Sequence, residues 1–209
     1  MRRPKPGRFL VLEGLDGAGT TTQAAWLAGW LRAKGREVHL TAEPSRGPVG
    51  AMLRQVLGKR VVGGGGQDFD ASAVALLFAA DRLDHWASEI GPRLRQGIDV
   101  VSDRYVLSSL AYQAASTGDA RWVEAVNAKA PPADLTLFLA VRPQVALRRR
   151  YAASADREIY EVPAFQRRVH REYRRALRQL GERVVEIPGD GPVELVSALL
   201  ARALERWLP

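Results

Sequence analysis

An apolar run that ends in a glycine-rich turn and passes straight into a helical pattern limits this chain more than any other feature. Residues Arg8 to Glu13 (RFLVLE) are short and apolar enough for a buried strand. Gly14 to Gln23 (GLDGAGTTTQ) follows at once, and Thr21 to Lys34 then carries Trp26, Leu27, Trp30 and Leu31 on one helical face before Gly35 ends it. Gly14, Gly19 and Thr21 fit the spacing G-x-x-x-x-G-K-[ST] of a phosphate-binding loop, with threonine at position 20 where lysine is usual. Glycines in such a loop let backbone N–H groups point at a phosphate, and the following helix N-terminus adds partial positive charge. Neither effect requires the lysine, and Thr21 occupies the position that binds Mg²⁺. Taken alone, the segment also reads as a plain strand-to-helix turn.

The rest of the chain repeats the alternation. Val38 to Ala42, Ile98 to Ser102, Leu135 to Val141 and Arg183 to Ile187 read as further strands. Helical stretches fall at about 70–89, with a break at Pro92 before a short continuation, and at 105–116, 119–128, 143–151, 161–180 and 192–207. Strands separated by helices imply crossovers, hence a five-stranded parallel sheet covered on both faces, a three-layer α/β/α fold. Ligands of such sheets bind at the carboxyl ends of strands. GLDGAGTTTQ, EPSRG and SDRY all follow strands, which predicts one composite site within a single domain over 1–209.

Composition narrows the function classes. The sequence has 209 residues, 46% of them hydrophobic, which fits a folded core and excludes general disorder. It shows no apolar run near the roughly 20 residues that span a bilayer and no cysteine for a disulfide or thiolate metal site. The first residues lack a signal-peptide core, so a cytoplasmic protein is expected. The net charge is +8, from 27 arginines and only four lysines against 23 acids. That balance favours anionic partners, and arginine suits phosphate through planar, bidentate contacts. The basic run RRVHREYRRALR lacks the interleaved aromatics that stack single-stranded bases, so no nucleic-acid partner is expected.

Asp103, Arg104, Tyr105, Ser108, Ser109, Ala111, Tyr112 and Gln113 match the pattern D-R-[YFH]-x-x-S-[STN]-x-A-[YF]-[QST]. In this the chain resembles thymidylate kinases, nucleoside monophosphate kinases with a P-loop NTPase fold. Glu43-Pro44, the segment LFAADR from Leu77 to Arg82, and Pro132 to Thr136 agree with that family in order and spacing. Asp156-Arg157, followed by Phe165, Val169 and Tyr173, is similar to its lid and the helix after it.

The resemblance implies transfer of the γ-phosphate of ATP to dTMP with Mg²⁺, by a homodimer with a mobile lid at about 150–161. It assigns donor binding to Gly14, Gly17, Ala18, Gly19, Thr20, Thr21 and Thr22. Phe78 stacks on the base in such a reading, and Arg82, one turn later on the same helix face, meets the base's carbonyl edge. Ser109 and Gln113 complete base recognition, and Tyr112 packs against the sugar. Without the resemblance, Phe78 and Arg82 would read as a core phenylalanine and a surface arginine. Asp16 approaches the acceptor's sugar and phosphate, Thr21 and Asp103 hold the metal, and Arg104 clamps phosphate. Glu43, Arg46, Arg54, Tyr105 and Ser108 complete the acceptor side. Gly17 fits the form of the family in which lid arginines are catalytic, here Arg157 ahead of Arg149.

Two departures stand out: Thr20 for the loop lysine, and Ala140 where the family carries aspartate. Thr20 leaves three readings open: a working dTMP kinase, a kinase for another deoxynucleotide, and a nucleotide-binding homologue with little or no turnover.

Overall fold

The computed structural model describes residues 5–153, 163–180 and 183–207. Five strands, β1 (Phe9–Gly14), β2 (Val38–Ala42), β3 (Asp99–Asp103), β4 (Leu135–Ala140) and β5 (Val184–Pro188), form one sheet in the order β2-β3-β1-β4-β5, with all neighbours parallel. The helices between them are α1 (Thr20–Ala33), α2 (Pro48–Leu57), α3 (Ala71–His85), α4 (Gly91–Arg95), α5 (Val106–Thr117), α6 (Ala120–Asn127), α7 (Pro143–Ala153), α8 (Pro163–Leu180) and α9 (Val193–Trp207). The expected three-layer P-loop fold is present, with strand and helix ends shifted by one or two residues.

The central strand explains the layering. Every residue of β1 is buried, and successive side chains point to opposite faces. Leu10 and Leu12 join a large core with Leu27 and Leu31 of α1, Tyr173 of α8 and Leu200 of α9. Phe9 and Val11 join a second cluster with Ile90, Val100 and Tyr105. A strand buried on both faces reads as a near-continuous apolar run, as Phe9 to Leu12 does.

The helices show why their sequences fold this way. α8 is strongly basic, yet Phe165, Val169, Tyr173 and Ala176 recur at helical spacing and are all buried, so one stripe faces the core and the arginines face out. α3 starts at Asp70, whose carboxylate accepts from the backbone N–H of Ser72 and Ala73. The short helical continuation past Pro92 is present as α4, but no break precedes it. The chain instead continues through one wide helical turn, Trp86–Ile90, into α4, because Pro92 falls in the first turn of α4, where a missing N–H costs little. Among the described residues, no helix is long and apolar enough to cross a membrane.

Candidate active site

Register brings the sequence motifs together. Leu12 and Ala42 both pair with Asp103, so β1, β2 and β3 end at the same level. The backbone N–H of Arg104 donates to Leu12 O at 2.9 Å, and that of Glu43 to Asp103 O at 3.0 Å. The glycine loop, the Asp103-Arg104 pair and the Glu43-Pro44 corner therefore meet at the carboxyl edge of the sheet.

A cavity of about 540 Å³, counted with its mouth, opens there. Its walls include Asp16 and Arg104 at the loop end and Phe78, Arg82, Tyr112 and Gln113 toward α3 and α5; Glu43, Tyr105 and Ser108 also line it. Arg82 is 1% exposed, far from the surface arginine its spacing alone would suggest. Its guanidinium lies 2.8 Å from Glu43 Oε2, donates to Ser109 Oγ at 3.1 Å and Tyr105 O at 3.2 Å, and bonds Asn127 Oδ1 on α6. Its Nε has no hydrogen-bond partner among the described residues. A buried donor without a partner, in a cavity wall beside an aromatic ring, suits a ligand acceptor group such as a base carbonyl. Glu43 stands behind Arg82 and is itself 3.3 Å from His85 Nδ1.

Arg104 is the centre of the loop end. It adopts φ 73°, a left-handed conformation uncommon for a residue with a side chain and often found at functional sites. Its Nη2 is 2.6 Å from Asp16 Oδ1, and its Nη1 donates to Gly14 O at 3.0 Å and Ser108 Oγ at 2.9 Å. The guanidinium also lies over the ring of Tyr112, 5.2 Å from its centroid. Burial disfavours its charge, but Tyr112, Asp16, Tyr173 and Asp103 around it hold its pKa well above the ordinary value. Asp16 is fixed from two more sides: its backbone N–H donates to Tyr112 Oη at 2.9 Å, and Gln166 Nε2 is 3.3 Å from its Oδ2.

Beneath Arg104 lies a carboxylate that the sequence motifs do not mark. Glu13, the fifth residue of β1, is fully buried and accepts from the backbone N–H of Tyr105 and Ser108, from Ser108 Oγ at 2.6 Å and from Tyr173 Oη at 3.1 Å. Burial pushes its pKa up, with Arg104 and these hydrogen bonds opposing. Tyr105, the residue before α5, makes no side-chain cap bond, so Glu13 caps that helix from a neighbouring strand.

At the other end of the loop, Thr21 Oγ1 donates to Asp103 Oδ2 at 2.5 Å, while Asp103 Oδ1 is buried with no partner. A hydroxyl and a carboxylate with one unsatisfied oxygen are hard donors that fit Mg²⁺, which binds through few protein ligands and completes its shell with water and phosphate. Among the described residues no set of three His, Asp or Glu side chains could hold a metal by itself. Arg46 and Arg54 line the adjacent groove with Thr21 and Asp103, not the Phe78 cavity. Arg54 donates to Pro44 O and Ser45 O, bracing the corner.

Of the two expected lid arginines, only Arg149 lies among the described residues. Arg149, expected to be catalytic, donates to the carbonyls of Gly189, Asp190 and Gly191, each at 2.8 Å, and borders a pocket with Ala18, Gly19 and Thr22. Its neighbour Arg150, absent from the expected set, borders the space over Gly17, Gly19, Thr20 and Thr21. Arg157, and most of the expected lid, lies outside the described residues. Glu13, Asn127, Arg150 and Gln166 are thus the site residues that sequence reasoning missed. Of these only Gln166, on the buried stripe of α8, carried a usable signal.

The family model described as thymidylate kinase matches residues 12–200 of this chain. A probable thymidylate kinase of Pyrococcus horikoshii is 42% identical over 168 residues, covering 80% of this chain and 81% of that protein. A putative thymidylate kinase of Aeropyrum pernix is 40% identical over 183 residues, 86% and 83% of the two chains. A probable thymidylate kinase of Pyrobaculum aerophilum is 36% identical over 198 residues, 95% of this chain and 96% of its own. With its glycine loop, its Asp103-Arg104 strand end and its Phe78–Arg82 cavity all in one site, the chain belongs to the thymidylate kinase family.

Proposed function

We propose that this protein transfers the γ-phosphate of ATP to dTMP, giving ADP and dTDP, as a cytoplasmic single-domain enzyme. One observation carries the reading: a single cavity joins Phe78 and Arg82 at one end to Asp16 and Arg104 beside the phosphate loop at the other. That span suits a nucleoside monophosphate whose base meets the aromatic ring and whose phosphate faces the loop.

An oxygen of the acceptor phosphate attacks the γ-phosphorus directly. The new P–O bond forms as the bond from γ-phosphorus to the bridging oxygen breaks, and that oxygen leaves on ADP with the electron pair. The attacking oxygen is already ionised, so no side chain has to remove a proton, and the protein works by positioning and charge. Phe78 and Arg82 orient the base, with Ser109 and Gln113 behind them. Asp16 and Tyr112 border the sugar, and Arg104, with Arg46 at the neighbouring groove, faces the acceptor phosphate. Backbone N–H groups from Gly14 to Thr22 receive the donor phosphates. Thr21 and Asp103 would hold Mg²⁺, which neutralises charge on the donor phosphates when bound.

A homodimer is part of the proposal. Leu76 and Leu83, seven residues apart on α3, are 50% and 39% exposed, and Met52 on the adjoining α2 is 41% exposed. An apolar strip of this kind suits a second copy of the chain.

Replacing Arg82 with alanine tests the substrate. KM for dTMP should rise at least about tenfold, with KM for ATP changed less than about twofold. An equal rise for both nucleotides would remove Arg82 from base recognition.

A further inference from the structure

Position 20 gives the loop no charge, and the structure shows where another could come from. Thr20 is 5% exposed, and its methyl group lies 3.4 Å from the point where a Cβ on Gly14 would stand. Its methyl group packs toward the strand end, and it carries no charge. The space above the loop is bounded by Asp16, Gly17, Gly19 and Thr20 to Thr22, and, among the described residues, by two cations, Arg104 and Arg150. Arg104 is already paired with Asp16 at 2.6 Å and bonded to Gly14 O.

Arg150 reaches this space because α7 rests on the loop. Gly17 has φ 83°, and a Cβ there would stand 2.1 Å from Ala146 O and 3.1 Å from the backbone nitrogen of Arg150. Ala146 and Arg150 are one helical turn apart, so the face of α7 that touches Gly17 also presents Arg150. Arg148 is exposed and Arg149, which borders Ala18 and Gly19, reaches to the carbonyls after β5; Arg150 is the arginine of the triplet that borders Thr20 and Thr21.

We propose that Arg150 supplies the charge that a loop lysine would otherwise give. Its guanidinium binds oxygens of the donor's β- and γ-phosphates and stabilises the negative charge that builds on the bridging oxygen as the γ-phosphoryl group leaves ADP. Arginine suits the role from a helix outside the loop, since its planar fork takes two phosphate oxygens together. The proposal rests on the phosphotransferase reading above.

A four-protein comparison tests it: wild type, Thr20→Lys, Arg150→Ala and the double variant, assayed for ADP formation from ATP, Mg²⁺ and dTMP. Arg150→Ala should lower kcat about 100-fold or more in the wild-type background. The same change should cost less than about tenfold once Thr20→Lys has returned a cation to the loop. Equal losses in both backgrounds would overturn the proposal. Melting curves separate folding from function. Arg150→Ala should lose most of the ATP-induced rise in Tm while keeping the dTMP-induced rise; loss of both would make Arg150 a prop of the fold and refute the assignment. If wild type turned over no acceptor, the functional reading would fail, but the ATP-induced shift would still decide. Its loss in Arg150→Ala and return in the double variant would support Arg150, and an unchanged shift would refute it.

Discussion

The hydroxyl of Thr21 and the carboxylate of Asp103, 82 residues apart in sequence, meet at 2.5 Å and join the start of α1 to the end of β3. This contact closes the angle between the glycine loop and the neighbouring strand, and it leaves Asp103 Oδ1 buried without a partner. Such an atom is costly unless a ligand completes it.

Asp103→Asn and Thr21→Ala should therefore raise the Mg²⁺ concentration for half-maximal turnover about tenfold or more. A Mg²⁺ titration of ADP formation at saturating nucleotides checks this. Unchanged Mg²⁺ dependence in both variants would move the metal elsewhere.

Gly17 is held at φ 83° directly under Ala146 O. Alanine there meets both a left-handed backbone and a carbonyl oxygen, so Gly17→Ala should cost about 2 kcal/mol and lower Tm by about 4–8 °C. It should also shift α7 and impair ATP binding more than dTMP binding. Thermal melts with each nucleotide read both effects.

Asn127 donates from Nδ2 to Val123 O at 2.8 Å, which fixes its amide so that Oδ1 faces Arg82. Asn127→Ala should leave one Arg82 donor unpaired, at a cost of about 1–3 kcal/mol. KM for dTMP should rise about tenfold, with KM for ATP nearly constant. A parallel loss for both nucleotides would mean that Asn127 only stabilises α6.

Glu13 gives a pH prediction. Its pKa in the fold lies above the ordinary 4.5 because of burial, so the folded state holds that proton more tightly than the unfolded chain does. Stability from this group is present below pH 4.5 and declines as pH rises through the raised value. Glu13→Gln cannot ionise, so its stability relative to wild type should improve as pH rises above 4.5. Urea melts across that range check the sign; a difference that moves the other way would show a carboxylate stabilised by its fourfold hydrogen bonding and Arg104.

The elements that sequence revealed are those whose signal is local. RFLVLE, the glycine loop and the heptad-like stripe of α8 each state their structure within a few residues, and the strand order then carried three motifs to one sheet edge. What stayed hidden depends on long-range partners. Glu13 looks like the polar end of a strand until Ser108 and Tyr173, 95 and 160 residues away, close over it. Arg82 looks like a surface cation until α5 and α6 bury it. Among Arg148, Arg149 and Arg150, periodicity cannot choose which one faces the loop; the docking of Ala146 on Gly17 does.

The most direct test is ADP formation by the purified protein with ATP and Mg²⁺, offering dTMP beside dUMP, dCMP, dGMP, AMP and thymidine. The expected result is turnover with dTMP preferred, in a protein whose phosphate loop has no lysine. Absence of turnover with every acceptor, or equal use of dTMP and dCMP, would contradict it.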